Sequence, residues 1–202
     1  MNLSNLPPLS LFEKLKAFLD EEGVRGIMIG GCAVNYWGVD RPTPDIDLSV
    51  TSMPKSLLSS QQVFGKDFRR GRPKKYGFLR GNLSSGIAVL THQEGKVDLL
   101  VDQVTDWTPE EERAVPGLPF PVVALECLVT LKLAAWGNNS EVDEYEASRK
   151  KRHLGDLKFL LPKMSEENWA ALRQVHSEVE WAWISRVRHT AELVIANPLP
   201  GG

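Results

Sequence analysis

The chain has 202 residues, 42% hydrophobic and 25% charged, enough to bury a core of its own and short enough for one domain with a small helical annex. Its 24 Lys and Arg against 26 Asp and Glu give a formal net charge of -2, which excludes a histone-like polycation and a long acidic tail but leaves local basic patches open. Two cysteines, Cys32 and Cys127, argue against a disulfide scaffold or thiolate cluster and fit a reducing compartment.

In chain order, Leu11, Phe12, Leu15, Phe18 and Leu19 have the spacing of one helix face, opened by Ser10 and ended by Gly23. Ile27 to Ile29 reads as a short buried strand entering Gly30-Gly31, and Ala33 to Trp37 as a brief helix. A loop with Arg41, Pro42, Thr43 and Pro44 leads into Asp45-Ile46-Asp47-Leu48-Ser49-Val50, whose alternation of polar and apolar residues is that of a half-buried strand. Ser52 and Pro54 can open a second helix to about Gln62. After a basic linker come strands at Tyr76 to Arg80, Gly86 to Thr91 and Lys96 to Val101, joined by turn residues as an antiparallel meander. From Val122 onward the period becomes helical as far as Asn197, with breaks at Gly137 to Ser140 and Pro162 to Ser165.

These elements predict an α+β fold: a mixed β sheet with flanking helices over residues 1–105, then a helical half over 106–202 packed on it. The acidic, proline-containing stretch Asp106 to Pro121 is the expected hinge. No apolar run reaches the ~20 residues of a membrane helix, and the first residues, MNLSNLPPLS, lack the basic and apolar regions of a secretory signal. A soluble cytoplasmic protein is therefore expected.

Asp45 and Asp47 are two residues apart in a strand, so both side chains leave the same face while Ile46 and Leu48 enter the core. Two carboxylates on one face repel unless a cation lies between them. Asp98, between Val97 and Leu99, repeats the pattern in a strand that could lie beside the first. Hard oxygen ligands without clustered histidine or cysteine favour Mg²⁺ or Mn²⁺ over Zn²⁺, and such ions also bind phosphate oxygens. Gly30 and Gly31 supply close backbone approach and N–H groups at a helix start, which a triphosphate needs.

The order Ile29-Gly30-Gly31-Cys32-Ala33-Val34, then Arg41-Pro42-Thr43-Pro44-Asp45-Ile46-Asp47-Leu48, then Val97-Asp98-Leu99-Leu100 resembles the nucleotidyltransferase superfamily with the DNA polymerase beta type of fold. The Arg-x-Thr-x-Asp-Ile-Asp-Leu wording is most similar to its AbiEii-type toxin branch, and Leu131-Lys132-Leu133-Ala134-Ala135 and Arg152-His153-Leu154-Gly155-Asp156-Leu157 look like that branch's later elements. The resemblance implies that residues 1–105 are the catalytic core. It further implies an Mg²⁺- or Mn²⁺-dependent transfer of a nucleoside monophosphate from a nucleoside triphosphate to a hydroxyl, with Asp45, Asp47 and Asp98 as metal and catalytic residues. Gly30, Gly31, Arg41, Lys132, Arg152 and Asp156 are then expected on the substrate side. Gly31 stands where many relatives have a serine, so backbone N–H groups would have to meet the phosphates.

The implied partners are tRNA or a protein as acceptor and a cognate antitoxin, with no membrane involved. Two basic runs fit an RNA acceptor: Lys66, Arg69, Arg70, Arg72, Lys74, Lys75 and Arg80, and Arg149 to His153. The competing readings are a small acceptor such as an aminoglycoside-like antibiotic, and a catalytically silent binding module, which would require spoiled carboxylates. Tyr36, Trp37, Trp136 and Trp169 read as packing residues. Of Trp181 and Trp183, which share no helix face, one is expected to be exposed. His92, His153, His176 and His189 lack zinc spacing and read as surface or capping residues.

Overall fold

A computed structural model describes residues 3–59, 79–84, 86–101, 113–138 and 144–197. The chain divides into two compact units, Met1–Ala124 and Leu125–Gly202.

The first unit opens with α1 (Leu9–Glu21), which buries Leu11, Phe12, Leu15, Phe18 and Leu19 completely, the face predicted from their spacing. Ser10 does not cap it. The helix starts at Leu9, after Pro8, two residues before the start a Ser10 cap implies, and its N-terminus has no side-chain cap. The Ser10 side chain instead bonds Glu94, whose carboxyl lies below its ordinary range chiefly through the Lys14 ammonium, 2.9 Å away, and then through Ser10.

The sheet consists of β1 (Gly26–Met28), β2 (Asp45–Val50), β3 (Leu79–Ser84), β4 (Ile87–His92) and β5 (Gly95–Val101), in the order β1-β2-β5-β4-β3. β3, β4 and β5 form the expected antiparallel meander, with a register irregularity between Arg80 and Leu83. β5 then lies parallel to β2, and β1 closes the other side antiparallel to it, so the sheet is mixed. Asn82, expected in a turn, is in β3, and Tyr76 falls outside the described residues. Residues 121–123 run along the outer side of β1: the Met28 N–H donates to the Pro121 carbonyl at 2.8 Å, and the Val123 N–H to the Met28 carbonyl at 3.1 Å. That contact covers a strand edge that would otherwise present unpaired backbone groups.

Two short helices complete this unit. α2 (Gly30–Tyr36) begins at the glycine pair itself, three residues before the expected start, and α3 (Lys55–Ser59) follows Pro54. Residues beyond Ser59 in that expected helix lie outside the described part.

The second unit is helical: α4 (Leu125–Asn138), α5 (Glu144–Leu160), α6 (Glu166–Val175) and α7 (Glu178–Ala196). α4 buries Leu125, Cys127, Leu128, Val129, Leu133 and Trp136, and packs against the other three helices. Gly137 permits one crossing, because a Cβ there would stand 3.0 Å from Val187 Cγ1 and 3.3 Å from Trp183 Cζ2. Trp181 and Trp183 are both half-buried, so neither is the fully exposed residue expected.

The predicted continuous helix after Ser165 is broken at His176. Ser177 opens α7 with a capping box, its hydroxyl accepting the Glu180 N–H while the Glu180 carboxylate accepts the Ser177 N–H. Ser165 and Asn168 do the same for α6. Among the described residues no helix is long and apolar enough to cross a membrane.

Candidate active site

β2 and β5 carry the site. Their parallel register sets Asp47 opposite Asp98 and Asp45 opposite Lys96. Ile46, Leu48, Val97 and Leu99, fully buried, anchor the two strands, and the alternate residues emerge together on the other face. The result is the predicted triad: one carboxylate oxygen from each of Asp45, Asp47 and Asp98 lies within 4.8 Å of the others.

Each carboxylate is held differently. Asp45 Oδ1 accepts the Thr43 hydroxyl at 3.2 Å. Asp47 Oδ2 accepts the Gly31 N–H at 3.3 Å, and the Ile29 N–H donates to the Asp47 carbonyl at 3.0 Å. Asp98 Oδ2 accepts the Lys96 ammonium at 2.7 Å, while its Oδ1 is buried without a hydrogen-bond partner. Burial pulls the Lys96 ammonium down, but the Asp98 hydrogen bond and charge, with Asp45 and Asp47 behind them, carry it above the ordinary lysine value.

The glycine pair meets these side chains first. Gly30 has φ +59, and a Cβ there would lie 1.8 Å from Asp47 Oδ2. A Cβ on Gly31 would lie 2.1 Å from the Thr43 hydroxyl. Both glycines are therefore required by the carboxylates and their support, and one of the two N–H groups expected to face phosphate already serves Asp47. Asn35, 2% exposed, bonds the Gly31 carbonyl at 3.2 Å and the Arg41 carbonyl at 2.7 Å, which fixes the loop entering β2. Arg41 is half-buried in that loop.

The donor set fits a divalent cation of the Mg²⁺ or Mn²⁺ type. Three hard oxygen donors converge, and Asp98 Oδ1 is an acceptor with nothing yet to accept. Cys32, whose Sγ is 3.5 Å from the Asp45 carbonyl, adds no soft ligand: burial, then Asp47 and Asp45, push its thiol far above the ordinary value.

In the helical unit, Lys132 and Asp156 form an ion pair at 2.9 Å, with side chains only 7% and 2% exposed. The apolar neighbours of Lys132 therefore mark a lysine that neutralises a buried carboxylate. Arg152 is exposed on α5. Between these residues in sequence, His153 has both ring nitrogens buried without hydrogen-bond partners, and burial followed by the Lys132 charge lowers its pKa to about 4. His92, its side chain 3% exposed, accepts the Glu94 N–H at Nδ1, so it caps a turn from the inside. His92 thus takes the capping role expected, whereas His153 is neither a surface nor a capping residue.

Of the second basic run, Arg149 pairs with Glu146 at 3.3 Å, and Lys150 lies 5.8 Å from the Trp136 ring centroid. Of the first run, Lys66 to Lys75 fall outside the described residues, and Arg80 lies in β3.

A family model described as "Nucleotidyl transferase AbiEii toxin, Type IV TA system" matches residues 14–193. Among solved structures, the chain is similar to the antibiotic-resistance factor ANT(2'')-Ia in solution, at 13% identity and TM-score 0.55 over 93% of this chain and 92% of that one. A crystal structure of ANT(2'')-Ia in complex with adenylyl-2''-tobramycin gives the same identity and TM-score over 92% and 97%. An antigenic nucleotidyltransferase-like protein from Paracoccidioides brasiliensis is 16% identical, with TM-score 0.51 over 94% and 88%. At these identities the likeness is one of fold. No curated protein matches the chain.

Proposed function

Because the chain belongs to the AbiEii nucleotidyltransferase toxin family, we propose that it moves a nucleoside monophosphate from a nucleoside triphosphate to a hydroxyl acceptor at Asp45, Asp47 and Asp98. The observation that carries this reading is the convergence of the three carboxylates beside a glycine pair that has no room for a side chain.

Asp45 and Asp47 would hold the divalent ion, with Asp98 completing the set. When bound, Mg²⁺ or Mn²⁺ lowers the pKa of the acceptor hydroxyl and offsets the triphosphate's charge. In the transfer, a bond forms between the acceptor oxygen and the α-phosphorus, and the bond from that phosphorus to pyrophosphate breaks. Asp98, with one oxygen free of hydrogen bonds, is the residue to orient the hydroxyl and take its proton. Thr43 and Gly31 keep the other two carboxylates aimed, which saves reorganisation during the reaction. The substrate-side roles of Gly30, Gly31, Arg41, Lys132, Arg152 and Asp156 come from the family likeness.

For the acceptor, the toxin family and the basic runs support tRNA, with a cognate antitoxin as a further partner. A second reading, a small amino-sugar acceptor, is favoured by the fold shared with a protein solved with adenylyl-2''-tobramycin. Incubating the protein with each labelled nucleoside triphosphate, Mg²⁺, total RNA and tobramycin separates them. Label in RNA is the expected result; label only in tobramycin would establish the second reading, and label in neither RNA, protein nor antibiotic would sink both.

A further inference from the structure

Lys96 stands among the acidic residues of the site. It lies opposite Asp45 in the β2–β5 register and two residues before Asp98, so strand alternation puts its side chain on the face of the triad. Its ammonium sits 2.7 Å from Asp98 Oδ2, the lysine side chain 46% exposed and the aspartate 20%. As an isolated surface pair this contact would contribute little. Beside three carboxylates gathered within 4.8 Å, it is a cation supplied by the chain itself to a cluster that repels internally.

Building on the metal reading of the site, we propose that Lys96 is the resident counter-ion of the triad, and that a divalent ion enters by displacing its ammonium from Asp98 Oδ2. The two cations compete for one carboxylate. Lys96 engages Oδ2, the oxygen the ion would take, while Oδ1, buried and unpartnered, stays open to the acceptor hydroxyl. Because Lys96 is half exposed at the end of a flexible stem, it can swing into solvent without disturbing β5, whose register rests on Val97 and Leu99. Lys96 is thus a positioning residue: it keeps Asp98 aimed into the site before loading and sets how tightly metal is held afterwards.

The exchange is tested on the full chain, stripped with EDTA, by titrating Mn²⁺ and reading the free-ion electron paramagnetic resonance signal, with urea unfolding in EDTA alongside. Lys96→Met should bind Mn²⁺ about tenfold more tightly, having lost both a competitor and a like charge, and should unfold at lower urea without metal. Lys96→Arg, which keeps the charge, should stay near wild type in both. Lys96→Gln gives the same reading as Met should that variant fail to fold. Mn²⁺ binding that Asp47→Asn abolishes but that removal of the Lys96 charge leaves unchanged or weakens would overturn the exchange alone. Wild-type protein that binds no Mn²⁺ would overturn the metal reading itself.

Discussion

A Cβ on Gly30 would stand 1.8 Å from Asp47 Oδ2, closer than two nonbonded atoms can approach. The carboxylate occupies the space a side chain would need, and φ +59 at Gly30 adds the conformational reason for glycine. Gly30→Ala should therefore lose stability by about 2–4 kcal/mol, the sum of a left-handed backbone and an overpacked contact. Nucleotide transfer should fall further than stability does, because the clash moves the ligand-bearing oxygen. Urea unfolding and a transfer assay on the folded fraction check this.

Asp47→Asn changes the charge and keeps the shape. The amide oxygen can still accept the Gly31 N–H, so the fold should persist, with a circular dichroism spectrum matching wild type. Transfer should be abolished, together with the rise in melting temperature on adding Mg²⁺. Activity retained in this variant would remove Asp47 from the reaction.

Lys132 and Asp156 present a different balance. Truncating Lys132 to Met takes the ammonium away from a carboxylate that is 2% exposed, at a cost of about 3–5 kcal/mol. Replacing both residues, Lys132→Met with Asp156→Leu, should recover much of that loss, since no charge is then left unpaired. A thermal melt of the two single variants and the double one measures the coupling. A double variant no more stable than the singles would count against a mutually compensating pair.

His153 carries a pH dependence. Its folded pKa of about 4 lies below the 6.5 of the unfolded chain, so between those values the unfolded state binds more protons. The folded state is thus penalised as pH falls from about 6.5 to about 4, and the penalty is absent above 6.5. Partial exposure of the ring limits the effect to on the order of 1 kcal/mol. Carboxylates titrate nearby in pH, so the measurement is a difference: His153→Leu should lose less stability than wild type between pH 7 and pH 4.5. Parallel curves would contradict this assignment.

The elements written as local alternation were the most legible. Asp45 to Val50 forms a strand with the bounds expected, because period-two burial leaves a strong signal in six residues. That β5 pairs with β2 in parallel, aligning Asp47 with Asp98, is a tertiary fact that neither strand encodes by itself. The glycine pair was legible as a close approach, but what approaches is Asp47 on Gly30 and Thr43 on Gly31, residues 17 and 12 positions onward in the chain. Two further features are written in local sequence. Ser177 and Glu180 spell a capping box inside an apparently unbroken helix, and Lys96 shares the parity of Asp98 in its strand. His153 could not be read from its neighbours in sequence: Arg152 suggests solvent, whereas the folded helices bury its ring nitrogens.

The ladder between β2 and β5 has a last consequence. Fifty-one positions separate Asp47 from Asp98, yet their spacing is set by hydrogen bonds between adjacent strands and owes nothing to the length of chain that joins them. Insertions or deletions in that connection are therefore chemically silent so long as pairing holds. Losing one residue within β5 upstream of Asp98 is not: it would shift the pairing by one step and turn the third acid toward the hydrocarbon side of the sheet.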